Sequence, residues 1–279
     1  MQKIDLITAI ILLTLTGIGV GFAQGFLGVG GCFIMVPVTF FVFTSMGVPT
    51  DMAIKLAFGS NLLVVFPTAI SGAWAHTKKK SVLWRAGITL GLFGVIGALM
   101  GSTITSRFIS GDILKVVFGV VIGLGGVGML IGEQPKMEEE AKDDPILLAI
   151  FGFLIGIISS MTGIGGGVVM IPVMTMALRF KMHDAVGTST SVMIFTSIAA
   201  ATGYLLNGLS VPDLPAYSIG YVNLLVWACL AVTSVPMAQI GARAAHSLPA
   251  KELRYIFISL MFYVALKMIG VFSWLRLPI

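Results

Sequence analysis

Apolar residues along this chain come in long runs, at about 4–24, 28–46, 53–75, 84–106, 113–131, 146–162, 166–178, 186–206, 217–240 and 253–272. A bilayer core about 30 Å thick is crossed by roughly 20 helical residues. The runs therefore predict ten membrane segments and leave no room for a large water-soluble domain. The 13-residue run 166–178 is short and suits a re-entrant or strongly tilted segment. One polar stretch, Gly132 to Pro145, carries Glu133, Glu138, Glu139, Glu140, Asp143 and Asp144. Its charge is that of a solvated loop. It divides the chain into a first membrane unit (1–132), an acidic linker (133–145) and a second membrane unit (146–279).

The two units repeat one another. Gly28-Val-Gly-Gly-Cys-Phe-Ile-Met-Val-Pro37 aligns without a gap on Gly163-Ile-Gly-Gly-Gly-Val-Val-Met-Ile-Pro172. Further on, Ser71-Gly72 corresponds to Thr202-Gly203, and Asp112-Ile-Leu-Lys115 resembles Lys251-Glu-Leu-Arg254. Such self-similarity points to duplicated membrane halves. Residues 4–46 as one straight helix would be about 64 Å long, so the run must break near Gly28–Gly31. Each half then has five segments, an odd number, which inverts the second half relative to the first. The expected fold is an all-α integral membrane protein of two inverted repeats, with broken or re-entrant helices at the Gly-rich motifs.

Charge placement separates this arrangement from an eight-span one. Ten segments put Lys78, Lys79, Lys80, Arg85, Lys136, Lys142, Arg179, Lys181, Arg243, Lys251 and Arg254 on one side, and Lys3, Lys55, Arg107, Lys115, Lys267 and Arg276 on the other, 11 against 6. Eight spans would split them 9 against 8, with no preference. The positive-inside rule favours the first, with the linker cytoplasmic and both termini outside. The opening run resembles a signal peptide in following Lys3, but its counterpart at 146–162 is internal and cannot be cleaved. It reads as a retained span.

Composition narrows the function. The chain of 279 residues is 57% hydrophobic and 10% charged, against about 45–50% and ~25% in soluble domains. A water-soluble enzyme or nucleic-acid binder is excluded on that ground, and the net charge of +5 is a topology signal. Cys32 and Cys229 form no C-x-x-C pair, and His76, His183 and His246 share no metal-ligand spacing, so neither a cofactor nor a metal is expected. The carboxylates all fall at segment ends or in loops. Ionisable groups in mid-membrane mark cation pathways and proton relays, so their absence argues against a cation pump or channel.

The interior polar groups are neutral. Most membrane Ser and Thr hydrogen-bond between helices, but two clusters stand at similar distances after the Gly-rich break: Gly59-Ser60-Asn61 and Gly187-Thr-Ser-Thr-Ser191. The break disfavours a continuous helix, and irregular backbone survives in hydrocarbon only where it is buried in protein or lines a wet cavity. A helix starting near Gly31 or Gly167 would aim free N–H groups and a positive dipole end at such a cavity and stabilise an anion there. Close helix packing is the other reading of these glycines, and the one that suits Gly94, Gly97, Gly101, Gly119, Gly123 and Gly126. A dinucleotide reading fails for want of a βαβ context. Pro37 and Pro172 suggest a shared bend. Lys55 is expected to snorkel to the interface, and His76 with Lys78–Lys80 to act as a cytoplasmic anchor, with Arg243 and Arg254 serving likewise.

The paired Gly28-Val-Gly-Gly31…Pro37 and Gly163-Ile-Gly-Gly166…Pro172, with Ala185-Val-Gly-Thr-Ser189 and Ser71-Gly-Ala-Trp-Ala-His76, make the chain resemble the sulfite exporter TauE/SafE family of membrane permeases over nearly its whole length. The resemblance implies movement of small sulfur-containing anions: sulfite, sulfonates, sulfoacetate or related organic acids. The first half departs from the pattern, with Lys55-Leu-Ala57 where the second has Gly187-Thr-Ser189. An asymmetric site follows.

The expected activity is secondary transport of sulfite or an organosulfonate across the cell membrane, with one half rocking against the other. Gly28, Gly30, Gly31, Gly163, Gly165, Gly166 and Gly167 would present the main-chain site, and Gln24, Ser60, Asn61, Thr188, Ser189 and Ser191 would add hydrogen bonds. The partners are a small anionic substrate and the lipid bilayer, and two copies could pair as a homodimer. A carrier of small carboxylates or a passive anion channel would use the same site. A membrane enzyme or thiol relay would need clustered His, Asp and Glu or paired cysteines, which the sequence lacks.

Overall fold

A computed structural model describes residues 5–131, 144–245, 247 and 250–270. Most of the acidic linker, including Glu133, Glu138, Glu139, Glu140 and Asp143, lies outside them, as do Lys3, Lys136, Lys142, His246 and Arg276. The first half forms α1 (Leu6–Leu27), α2 (Cys32–Ser45), α3 (Thr50–Lys78), α4 (Trp84–Phe108) and α5 (Gly111–Ile131). The second forms α6 (Pro145–Met161), α7 (Gly167–Pro172) with one π-helical turn (Val173–Ala177), α8 (Met182–Gly208), a two-stranded hairpin β1 (Ser218–Ile219) and β2 (Val222–Asn223), α9 (Leu224–Ala245) and α10 (Ala250–Ile269). Six of the described helices, α1, α3, α4, α5, α8 and α9, are long and apolar enough to cross a membrane.

Residue contacts fix the helix directions. Along α1 and α9, Gly17 meets Leu230, Gly21 meets Ser234 and Gly25 meets Ala238, so the two run parallel. Ser60, Thr68 and Ser71 of α3 bond to Asn223, Ser234 and Val235 in that order, so α3 runs with them. In the other set, Gly94, Gly97 and Gly101 of α4 meet Gly152, Phe153 and Ser160 of α6, while Gly87, Gly91 and Gly203 match α4 to α8, again parallel. The sets oppose one another: α3 and α8 are antiparallel, Gly72 facing Thr190 and Gly59 facing Tyr204. So are α5 and α10, Gly119 facing Ile269 and Gly126 facing Met261. The packing is reciprocal, α1 on α9 as α6 on α4, and α3 on α9 as α8 on α4. Each helix of the first half thus runs opposite to its counterpart in the second.

These close crossings need glycine because lipid offers little hydrophobic drive between helices, and backbones must approach for dispersion contact to suffice. A Cβ at Gly101 would lie 2.5 Å from the Ile157 carbonyl oxygen, one at Gly156 would meet the Gly94 carbonyl, and one at Gly97 that of Phe153.

The bundle has two distinct ends. One carries the hairpin, the start of α3 and the close of α4, tied by Asp51 Oδ1 accepting from the Gly111 N–H at 2.7 Å and by Asn207 accepting from Arg107 at 2.6 Å. The other carries Lys78, Lys79, Lys80 and Arg85 around the α3–α4 turn, where the Leu83 N–H donates to Thr188 Oγ1 at 3.0 Å. Arg179, Lys181 and Arg243 lie at this basic end too, while Lys55, Arg107, Lys115 and Lys267 lie at the hairpin end.

Several expectations need correction. The apolar run 217–240 opens as the hairpin, and its helix begins only at Leu224 and continues to Ala245. Gly220 and Tyr217 take positive φ there (56° and 64°), and Asn223 Oδ1 caps α9 by accepting from the Val226 N–H. Pro37 sits inside an unbroken α2, whereas α7 widens into the π turn just after Pro172, so the paired prolines do not make one shared bend. His76 is 1% exposed rather than anchored at the surface. Since a carbonyl oxygen can only accept, its Nε2–H donates to the Gly25 carbonyl, 2.8 Å away. Lys55 reaches one turn back to Asp51 Oδ2 at 2.9 Å, but with the residue 6% exposed and Nζ 5.9 Å from the Tyr221 ring centroid it is roofed by the hairpin, not laid along lipid.

The packing argument is checked by Gly97→Val, expected to destabilise the α4–α6 crossing by about 1–3 kcal/mol through overpacking. Gly19→Ala, at a position with open space around it, is expected to change stability by less than about 1 kcal/mol. Thermal unfolding of the two variants in detergent reads the difference.

Candidate functional site

The site begins with two helical hairpins, α1–α2 and α6–α7, that enter from opposite ends. α2 returns toward the start of α1: Gly31 packs on Val20, while Val42, Phe43 and Met46 share an apolar cavity with Leu6, Ala9 and Leu13. α7 runs instead alongside α5 toward the basic end, Gly125 touching Val168 and Gly128 touching Pro172.

The hairpin tips are the two G-x-G-G motifs. Gly28, Gly30 and Gly31 have φ of 68°, 85° and 61°, and Gly163, Gly165 and Gly166 have 64°, 79° and 105°. Left-handed backbone costs an L side chain roughly 1–2 kcal/mol per residue. The motif thus places glycine at each reversed position and leaves Val29 and Ile164 as ordinary residues between them.

The tips pass one another in mid-bundle. A Cβ on Gly30 would be 3.0 Å from the Ile164 carbonyl oxygen and 3.1 Å from Met193 Sδ. One on Gly165 would be 3.3 Å from Val65, and one on Gly167 would meet Val29 and the Gly28 carbonyl. Val65 and Met193 stand near the middles of α3 and α8, the two helices that flank the crossing. Both loops are fully buried. Ser189 Oγ donates to the Gly28 carbonyl at 2.8 Å, and Thr196 Oγ1 to that of Gly165 at 3.4 Å.

The first N–H groups of a helix have no partner within it. Among the described residues, the N–H groups of Gly30, Gly31 and Cys32, and of Gly165, Gly166 and Gly167, find no protein acceptor. α2 and α7 run apart from the crossing, so their positive ends both border the middle of the bundle, α2 presenting its N–H groups toward the basic end and α7 toward the hairpin end.

Not every expected residue joins this crossing. Gln24 is fully buried, and neither atom of its amide has a partner. It lies one turn beyond Val20 on the same face of α1, on the side toward which the α2 N–H groups point. Asn61 Nδ2 donates to Thr39 Oγ1 at 2.9 Å, leaving Oδ1 without a donor. The Ser197 hydroxyl is likewise buried and unpartnered. Ser60 accepts from the Asn223 N–H at 2.8 Å and so holds the hairpin. Thr188 and Ser191 turn toward α4: Thr188 accepts from Leu83, and Ser191 donates to the Thr188 carbonyl beside Gly87.

Thr39, Met193 and Asn223 take part without having been expected. Thr39 and Met193 carried no signal beyond ordinary helix positions. Asn223 could have been found as a cap-type residue preceding an apolar helix.

Buried, crossed helix breaks with free main-chain donors, in a bundle of membrane-length helices, define a multi-pass membrane protein, and its family and relatives make it a transporter. The chain belongs to the sulfite exporter TauE/SafE family, whose model matches residues 13–268. It is 30% identical to a probable membrane transporter protein of Methanocaldococcus jannaschii, over 92% of this chain and 94% of that one. It is 26% identical to one of Haemophilus influenzae over 94% and 98%, and 24% identical to one of Bacillus subtilis over 71% and 79%. No solved structure matches it.

The contact between the tips is tested by Gly167→Ala. In an open helix alanine would be favoured by about 1 kcal/mol. Here its methyl enters Val29 and the Gly28 carbonyl, so a net loss of about 1–3 kcal/mol is expected, read as a lower melting temperature than that of the wild type.

Proposed function

We propose that this protein is a secondary carrier of small sulfur-containing anions, sulfite or organosulfonates, and that the anion binds where the two glycine loops cross. The observation that carries the reading is the set of free N–H groups on Gly30, Gly31, Cys32, Gly165, Gly166 and Gly167, buried together in mid-bundle. Leaving such donors dry costs free energy unless a ligand or water accepts from them. Preorganised helix ends attract an anion without reorganising. The family's name supplies the sulfur oxyanion. Gln24, Asn61 and Ser189 would border the anion, while Ser60, Thr188 and Ser191 brace the surrounding helices.

Opposed helix directions and reciprocal packing suit two copies inserted in opposite senses, and such a pair supports alternating access by rocking of one bundle against the other. Each central helix meets a connection at one end: the Ser81 carbonyl seats on Gly187 of α8, and that of Tyr221 on Gly59 of α3. Opening one seat while the other stays closed would expose the crossing to one side at a time. The excess of Lys and Arg at the basic end makes that end cytoplasmic by the positive-inside rule, in the cell membrane.

The test is flux into proteoliposomes. Saturable uptake of labelled sulfite, with counterflow against unlabelled methanesulfonate and weaker competition by acetate, is the expected result. Ohmic current without counterflow would make the protein a channel, preferential uptake of acetate would make it a carboxylate carrier, and no movement of any sulfur anion would remove the substrate assignment.

A further inference from the structure

The charge and hydrogen-bonding capacity of the crossing restrict which anions it accepts. Among the described residues, the only buried side chains able to carry a positive charge are Lys55 and His76. Lys55 is bound to Asp51 and stands about 15 Å along α3 from Val65. His76 sits on the Gly25 carbonyl, one residue from Gln24, with its Nε2–H engaged in that bond. What borders the crossing is main chain: the starts of α2 and of the six-residue α7, which point to opposite ends, each equivalent to no more than about half an elementary charge. Together they offset at most about one negative charge. A second would be buried with little to balance it, in a setting where charge is poorly screened.

Hydrogen bonding adds a second restriction. An oxyanion without a proton can only accept. The free N–H groups suit such a ligand, but Gln24 presents Oε1 as well as Nε2 with no partner, at 0% exposure. An acceptor buried beside a helix start is satisfied only by something that donates.

We infer that the crossing selects monoanions over dianions, and that among monoanions it favours one carrying its own proton, the hydrogensulfite form over the sulfite dianion, with Gln24 reading that proton. This rests on the proposed sulfur-anion site and specifies the protonation state that the site takes. Each turnover then moves a proton with the substrate, which a bundle without a described mid-span carboxylate needs no relay to achieve.

The experiment is a pH series of sulfite and methanesulfonate flux in proteoliposomes, with sulfate as competitor. Methanesulfonate is a monoanion throughout and has no proton to donate. It therefore reports any effect of pH that acts through the protein itself, whose charged and titratable groups around His76 are Asp184 and His183 at the start of α8, Lys78–Lys80 beside the α3–α4 turn, and Arg243 near the close of α9. Relative to methanesulfonate, sulfite flux at fixed total sulfite is expected to fall roughly tenfold per pH unit once pH exceeds the second ionisation of sulfurous acid. Sulfate is expected to compete more than about a hundredfold less well than hydrogensulfite. Gln24→Met, checked for folding by thermal unfolding and gel filtration, is expected to reduce the preference for hydrogensulfite over methanesulfonate by up to about tenfold.

Sulfite flux that runs parallel to methanesulfonate across pH, or effective competition by sulfate, would overturn the charge selection while leaving the sulfur-anion site standing. An unchanged preference in Gln24→Met would remove Gln24 as the reader of the proton. If neither sulfite nor methanesulfonate moves at any pH, the proposed function itself fails, and this inference with it.

Discussion

Everything in this molecule is arranged around main chain that cannot be left bare in a membrane. In hydrocarbon an unsatisfied N–H or C=O costs several kcal/mol, so a helix may be broken there only if protein surrounds the break. Two breaks meet here, and each shields the other: Gly167 lies on Val29 and the Gly28 carbonyl, Gly30 on the carbonyl of Ile164. α3 and α8 close the flanks with Val65, Met193 and the hydroxyls of Ser189 and Thr196. The donors at the helix starts are left over because those residues begin a helix, and no side chain caps either start.

The crossing explains the distribution of glycine through the rest of the bundle. For the tips to overlap, α1 must lie close along α9 and α6 close along α4, and glycines line both seams. The reciprocal arrangement gives each hairpin one long neighbour from the other half. A hairpin is thus held mainly by the half to which it does not belong, and a relative movement of the halves would act directly on the crossing.

Asymmetry between the halves is concentrated at the site rather than in the scaffold. The helix order and the positive φ angles are shared by both motifs. The side chains differ: Gln24 stands where the second half, at the same offset from its motif, has Ser159. The connections differ as well, a tight basic turn at one end and a hairpin carrying Asn223 and Tyr221 at the other. A scaffold kept symmetric with a lining that is not gives the two ends of the path different chemistry.

Much of this was legible in the residues. Long apolar runs fixed the number and approximate bounds of the helices, because spanning length depends on composition alone. The repeated G-x-G-G marked both breaks, because local backbone preference suffices to stop a helix. Where side chains point was not legible. Ser60, Thr188 and Ser191 looked equivalent to Ser189 as neutral polar residues in matched clusters, yet only Ser189 reaches a glycine loop, since the face a residue occupies depends on which helix packs against it. The hairpin at 218–223 read as apolar span because its aromatic and branched residues also suit a membrane helix. That Gln24 is buried and without a protein partner beside the α2 start, and His76 bonded inside rather than anchored outside, was decided only when four distant stretches of chain were brought together, because burial belongs to the assembled bundle and not to any one segment.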